Sequence, residues 1–314
     1  MIVRDAPEGL RGLLHDPVAT IGNFDGVHRG HQAILARVLA RARLTGGTSL
    51  VITFDPHPLK VLAPERAPRT IATRRQKLAS IESAGVDAVL VLPFDQRLAA
   101  LSAAAFVDDY LAKDLGLKEA YVGGNFNFGR GREGNADTLV ALCARHGIVA
   151  GKVPEILFLG SPVSSSRIRR AVLSGEVELA RALLGRPYGI EGIVAHGAGR
   201  GAGLGFPTAN LVPDNELIPQ DGVYVTRALI DGATFPAVTN IGTRPTFEGS
   251  PFAIETHLLD VGPDLYGRRV EIAFLARLRQ ELRFDSVQAL VEQIHRDIEK
   301  ARAFFASGEG AGPA

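Results

Sequence analysis

A single cysteine in 314 residues excludes an intramolecular disulfide. Cys143 sits in LVALCARHG, a stretch with helical spacing, where a lone thiol serves as small core filler and suits a reducing compartment. Net charge is nearly absent as well: 35 Lys and Arg against 34 Asp and Glu leave +1. No broad polyanion-binding face follows from that balance, so nucleic acid drops out as a partner. A small phosphate pocket near the arginines at 130–132 and 167–170 stays open. No apolar run approaches a membrane span, and the opening MIVRDAPEGLRGLLHDP is broken by Arg, Asp, Glu and Pro before a secretory core could form. The expectation is a cytoplasmic protein without membrane contact or an obligate protein partner. Internal repeats are missing, and low complexity is confined to the tail ASGEGAGPA.

What the chain does have is length enough for two domains and a change of texture between them. The first half alternates short Val/Ile/Leu runs (18–21, 49–54, 88–94, 120–124, 147–153) with stretches of helical spacing. Continuous apolar strands joined by helices predict a doubly wound parallel α/β sheet, with ligands at the carboxyl ends of its strands. Residues 102–115 read as one of the helices, capped by Ser102, with Phe106, Tyr110, Leu111 and Leu115 near one stripe. After about 185 the runs are divided by Gly, Pro and Asp turns, and Asp231-Gly232 between two of them signals a hairpin. A mostly antiparallel sheet or small barrel is predicted there. A C-terminal helix closes it from Val287 through Leu290, Val291, Ile294, Ile298 and Ala301, with Asp285 or Ser286 as cap. The expected division is 1–184, 185–306 and a flexible tail 307–314; residues 166–184 read as short helices at the boundary.

The stretch VATIGNFDGVHRGHQA at 18–33 carries the first candidate site. A strand end, turn glycines at Gly22 and Gly26 and a helix N-terminus make an anion site, since the free N–H groups and the dipole both favour negative charge. His28 and His31 add donors able to stabilise charge building on a phosphorus centre. Two other readings stay open on the residues alone: His28 as a loop residue with His31 as helix cap, or a zinc site with His57 of TFDPHP as third ligand. The zinc set lacks a completing cysteine or acid.

GNFDGVHRGH resembles the HxGH signature of the nucleotidyltransferases. With TFDPHP at 53–58, YVGGNFNFGRGREGN at 121–135 and VSSSRIRR at 163–170, the first half is similar to the adenylyltransferase module of the prokaryotic bifunctional riboflavin kinase/FAD synthetase family. The resemblance implies that His28, His31 and Arg169 act on ATP phosphates. It also implies that Gly22, Asn23, Phe24, Asp25, Gly26, Ser164 and Ser165 line the ATP side, and that Asp55, Asn125 and Phe128 line the flavin side. Two departures stand out. Ser166 replaces the family's threonine and keeps its hydroxyl, whereas Asn127 replaces a basic residue and removes a charge. From the residues alone, Ser164 to Ser166 also read as an N-cap cluster, and Arg130 with Arg132 as a solvated loop.

HGAGRGAGLGFPTANL at 196–211 is the most specific string. Its glycines, Gly199 and Gly201 among them, allow backbone N–H groups to converge on phosphates. Thr208 and Asn210, two apart on an extended segment, share one face and offer oxygens suited to Mg²⁺. GFPTAN, TNIGTRPTF, IETHLLD and DLYGRRVEIAFLARLRQELRF resemble the riboflavin kinase domain of the same family, in the family's order. That likeness implies Glu255 as catalytic base, Arg244 on the flavin side, Mg²⁺ with ATP, and riboflavin, FMN and FAD as the other ligands. From the residues alone, Glu255 also reads as a surface strand residue or a partner to Arg244. The implied activity is phosphorylation of riboflavin to FMN and adenylylation of FMN to FAD with release of pyrophosphate. The alternatives are a riboflavin kinase with an inactive synthetase half, the reverse, and a non-catalytic flavin-binding regulator.

Overall fold

The computed structural model describes residues 1–10, 12–196, 203–242, 252–259 and 265–308. They fall into two compact units that divide between Ser164 and Ser165.

In the first unit six parallel strands are hydrogen-bonded in the order β1-β4-β3-β2-β5-β8 among the described residues: β1 (Ile2–Arg4), β2 (Val18–Ile21), β3 (Ser49–Asp55), β4 (Ala88–Pro93), β5 (Glu119–Gly123) and β8 (Val149–Val153). Two short hairpins accompany them: β6 (Asn127–Phe128) with β7 (Gly134–Asn135), and β9 (Leu157–Phe158) with β10 (Ser161–Pro162). Alternate residues of each strand enter opposite layers. Leu50 and Ile52 pack with Leu111 and Leu139, while Val51 packs with Leu35 and Ile81. Both faces are thus covered, which is why these strands read as unbroken apolar runs. The helices are α1 (Arg29–Thr45), α2 (Pro58–Leu62), α3 (Arg74–Ser83), α4 (Gln96–Ala100), α5 (Ala103–Ala105) and α6 (Ala136–Ala144). Helix α1 is seated by a charged triad: Arg41 donates to both oxygens of Glu119 at 2.8 and 2.6 Å, and the Tyr121 hydroxyl donates to the same carboxylate at 2.7 Å.

Two local differences from the sequence reading have physical causes. Ser102 does cap a helix, accepting from the Ala105 amide at 3.1 Å, but α5 widens into a π-helix over Phe106–Asp114. Leu115 donates to Tyr110, five residues back, at 3.1 Å, a spacing that brings Phe106 and Leu111 onto one buried side. Strand β1 is absent from the sequence reading. Its three residues lie in a charged opening too short to show alternation, and they become a strand by pairing with β4.

In the second unit, α7 (Ser165–Leu173) and α8 (Val177–Leu184) precede a closed antiparallel barrel in the order β11-β12-β15-β14-β13-β16, with β16 returning to β11. Its strands are β11 (Tyr188–Ala195), β12 (Ala209–Pro213), β13 (Gly222–Ile230), β14 (Ala233–Gly242), β15 (Ala253–Leu258) and β16 (Arg269–Arg279). The hairpin at Asp231-Gly232 has φ of 47° and 84°, the paired left-handed conformation of a tight two-residue turn. The helices are tied to the barrel by Arg277, whose guanidinium donates to Ser174 O and Gln220 Oε1 and whose amide donates to Glu178 Oε1 at 2.9 Å. Inside the barrel the hydroxyls of Thr226, Thr239 and Thr256 form a buried chain with links of 2.8 and 2.9 Å.

The C-terminal helix spans Val287–Ala306, capped by Ser286 Oγ, which accepts from Ala289 N at 3.1 Å. Its buried positions are Asp297 and Ala301, whereas Val287, first of the expected stripe, is half exposed. The rest of the expected stripe faces the barrel, with Ile298 and Ala301 packed on its core, and Asp297 lies on the same face, where Arg279 holds its Oδ2 at 2.9 Å. No described helix is long and apolar enough to cross a membrane.

Candidate active sites

In the first unit the strand order reverses between β2 and β5: the chain runs outward from β2 through β3 to β4 on one side and from β5 to β8 on the other. In an open parallel sheet the crevice outside the carboxyl ends at such a reversal is where ligands bind. The loop leaving β2 carries Gly22 to His28, and the loop leaving β5 carries Asn125 and Asn127.

His28 is the N-cap of α1, and its Nδ1 accepts from the His31 amide at 3.3 Å. The cap is therefore His28, not His31. The two imidazoles stack with centroids 3.7 Å apart and planes 15° from parallel, and Phe24 closes on His31 at 4.9 Å. Gly30 makes the stack possible, because a Cβ there would lie 3.1 Å from the His28 ring. That Cβ would also lie 3.6 Å from the Val163 carbonyl, so the segment leading into Ser164 passes the start of α1. His31 Nδ1 is buried without a hydrogen-bond partner among the described residues. Burial first, then the charges of His28 and Lys77, hold the His31 pKa well below its ordinary value. Neutral at pH 7, His31 keeps one nitrogen as donor and one as acceptor.

The loop is braced beneath. Phe24 and Val27 both have φ above 40° and are buried, an uncommon backbone for bulky side chains. The Asp25 carboxylate accepts from Ile71 N at 2.9 Å and Ala72 N at 3.4 Å. A Cβ on Gly26 would come within 2.9 Å of Ile71. Lys77, which sequence reasoning missed, is buried on α3 and donates to Phe54 O at 3.0 Å and Thr53 Oγ1 at 3.3 Å; that hydroxyl donates to Asn23 O at 3.1 Å. Burial lowers its pKa against the opposing pull of Asp55 and Asp25. In RRQKLASIES the residue reads as one more solvated cation, and only the packing of α3 under the loop reveals it.

Around this centre, Asp55 ends β3, with Oδ2 3.7 Å from Arg74. Phe128 stacks on Phe126 at 5.3 Å and meets Phe106 edge-on, so its ring belongs to the core margin. The Asn127 amide folds back onto Asn125 O at 2.8 Å. His57 caps α2, its Nδ1 accepting from Leu59 N at 3.2 Å, and its Nε2 lies 3.5 Å from Asn23 Nδ2. The described residues hold no cluster of three His, Cys, Asp or Glu fit to bind a metal, so the zinc reading finds no ligand set. Ser165 opens α7, and Arg169 lies within it in the second unit.

On the barrel, Asn210 of β12 faces Glu255 of β15 in register, and Asn240 of β14 faces Glu255 from the other side. Thr208 Oγ1 is 3.5 Å from Glu255 Oε1. Asn210 and Glu255 on neighbouring strands, with Thr208 just ahead of β12, thus form one half-buried patch of oxygens. Phe206 wedges the preceding turn, edge-on to His257 at 6.0 Å and to His295 at 5.0 Å. Gly199, Gly201 and Arg244 lie outside the described residues.

Comparison with known proteins matches both halves. The FAD synthetase family model covers residues 12–167 and the riboflavin kinase model residues 184–305. A Pseudomonas fluorescens bifunctional riboflavin kinase/FMN adenylyltransferase is 46% identical over 92% of this chain and 93% of its own length. The Escherichia coli K12 protein of that name is 41% identical over 95% and 96%. Among solved structures, a Streptococcus pneumoniae protein named for macrolide efflux aligns with a TM-score of 0.85 at 30% identity, covering 96% of this chain and 99% of that one. The alignment spans both units of this chain. Two enzyme-family matches in tandem, with relatives of the same order spanning nearly the full length, make this chain a member of the bifunctional riboflavin kinase/FMN adenylyltransferase family.

Proposed function

We propose that the chain makes FAD by two successive phosphorus transfers, the kinase step in residues 185–306 and the adenylyl step in residues 1–184, with 307–314 a tail outside both. In the first step Glu255 takes the proton of the riboflavin 5′-hydroxyl as that oxygen attacks the γ-phosphorus of ATP, giving FMN and ADP. In the second, a phosphate oxygen of FMN attacks the α-phosphorus of another ATP and pyrophosphate leaves. His28, His31 and Arg169 donate to the charge that develops, with Ser164 and Ser165 beside them. Gly22 and Asn23 bring backbone to the nucleotide, and Phe24, Asp25 and Gly26 hold the loop that does so. Asp55, Asn125 and Phe128 border the flavin side of this half; Gly199, Gly201 and Arg244 are assigned to the kinase half on sequence alone.

ATP-dependent transfer calls for a divalent cation. The oxygen-only set of Thr208, Asn210 and Glu255 fits Mg²⁺, a hard ion that keeps waters and leans on substrate phosphates instead of a protein cage. Bound there, the cation would neutralise charge on the β- and γ-phosphates, while Thr208 and Asn210 hold it and the phosphates in register. A cytoplasmic site of action suits the ATP supply and the lone buried Cys143.

The observation that carries this reading is the presence on one chain of two separate oxygen- and imidazole-based constellations, the His28–His31 stack and the Thr208–Glu255 pair. The test is a chromatographic time course with purified protein, riboflavin, ATP and Mg²⁺. FMN should rise and then give way to FAD. FMN alone would leave a monofunctional kinase, and bound riboflavin without either product would leave a flavin-binding regulator.

Asn127 offers a finer test. Its amide is spent on Asn125 O, so the loop presents no cation at that point. Asn127→Arg should lower the KM for FMN in adenylylation by about two- to fivefold, the range of one exposed ion pair. Equal KM values would show that the position does not meet the flavin phosphate.

A further inference from the structure

Glu255 and His257 are two apart on β15 and so share a face, while Thr256 between them points into the barrel, where its hydroxyl is bound by Thr239. Both face residues reach the same short segment. Glu255 Oε1 is 3.5 Å from Thr208 Oγ1, and His257 Nδ1 is 2.9 Å from Pro207 O. A carbonyl only accepts, so Nδ1 carries the hydrogen and His257 donates. The contact holds the carbonyl of the residue immediately before Thr208.

The segment needs holding. The ladder between β12 and β15 pairs Ala209 with Thr256 and Asn210 with Glu255, and Phe206 to Thr208 lie before the first of these pairs. Proline lacks an N–H, so Pro207 has only its carbonyl to offer the backbone network. The Phe206 ring, nearly buried, packs edge-on against the His257 ring, so the imidazole restrains the segment through two kinds of contact. A shift of Pro207 is passed directly to the Thr208 hydroxyl, and displacements of about an ångström are costly where phosphates must be aligned.

We infer that His257 is a positioning residue of the kinase half: its Nδ1–H fixes the Pro207 carbonyl and thereby sets Thr208 at the distance from Glu255 that the metal–nucleotide complex requires. The assignment rests on the kinase reading given above. It concerns substrate and cation binding more than the proton transfer itself, because Glu255 is left in place when His257 changes.

The test uses the full chain with riboflavin, ATP and varied Mg²⁺, comparing His257→Asn, His257→Gln and His257→Ala. Asparagine sets its amide nitrogen where Nδ1 stands; glutamine sets it where Nε2 stands. His257→Asn should keep the apparent constants for ATP and Mg²⁺ within about twofold, whereas His257→Gln and His257→Ala should raise them about tenfold with a smaller change in kcat. Adenylylation of supplied FMN should be unchanged in all three. Glutamine behaving like asparagine, or alanine lowering kcat with both constants unmoved, overturns the assignment. Should the alanine variant fail to fold, the asparagine–glutamine pair decides alone. An unsubstituted protein that forms no FMN overturns the kinase reading and this assignment with it; variants that act alike while the unsubstituted protein forms FMN overturn the assignment only.

Discussion

His31→Ala should cut formation of FAD from FMN by about 10²–10³-fold, the loss typical of one preorganised donor to developing charge, while FMN formation from riboflavin stays intact. The size follows from how His31 is held. Its ring is clamped between His28 and Phe24, its Nδ1 has no hydrogen-bond partner among the described residues, and it is neutral at pH 7. A group so fixed reorganises little when charge appears on a phosphorus centre. The same burial gives a pH signature. The His31 pKa in the folded protein lies below the unfolded value of about 6.5, so between the two the unfolded chain binds the extra proton. Stability contributed by the neutral ring is complete above about pH 6.5 and is lost as pH falls toward the folded pKa. Urea titrations should show that acid sensitivity in the parent and less of it in His31→Phe. An alanine variant that still makes FAD at the parental rate would remove His31 from the chemistry.

The mirror-image result is expected of Glu255→Gln. Glutamine preserves shape and an acceptor oxygen toward Thr208 but has no useful basicity, so FMN formation should fall by about 10²–10⁴-fold, the range attributed to a positioned general base. Adenylylation of supplied FMN should proceed unchanged. A KM near the parental value would locate the loss in the proton transfer, since Thr208 and Asn210 remain to hold metal and phosphates. If either substitution abolished both activities while the protein stayed folded by circular dichroism, the assignment of two separate sites would fail.

Much of this was legible in the chain, for identifiable reasons. The strands of the parallel sheet are covered on both faces, so Val18–Ile21 and Ala88–Leu92 show as unbroken apolar runs. The Asp-Gly hairpin is dictated by local φ values and needs no tertiary knowledge. The histidines at the start of α1 and the oxygens of Thr208, Asn210 and Glu255 declared themselves through the strings that contain them. What escaped depends on packing. Lys77 is an ordinary helix cation until α3 is laid under the loop. Asp25, expected among the ATP-side residues, has its carboxylate on Ile71 and Ala72, contacts that sequence spacing cannot announce. The packed face of the C-terminal helix follows its apolar stripe, but the charge buried on that face, Asp297, escapes because its partner Arg279 comes from a barrel strand. The widening after α5 escapes because a five-residue offset is not one that a 3.6-residue pattern brings out.

The closure of the barrel bears on the order in which the chain leaves the ribosome. Strand β11 can pair with β12 as soon as that strand is made, but its other edge and the outer edge of β13 both wait for β16, the last strand of the barrel. The parallel sheet has no such delay: its outermost strands are β1, which pairs once residue 88 has emerged, and β8, finished at Val153. Translation therefore delivers a completed sheet first and then carries an open set of barrel strands, with unpaired edges, from the end of β11 at Ala195 until β16 is finished at Arg279. Of the two halves, the kinase half is the one whose sheet closes only once β16 has been made.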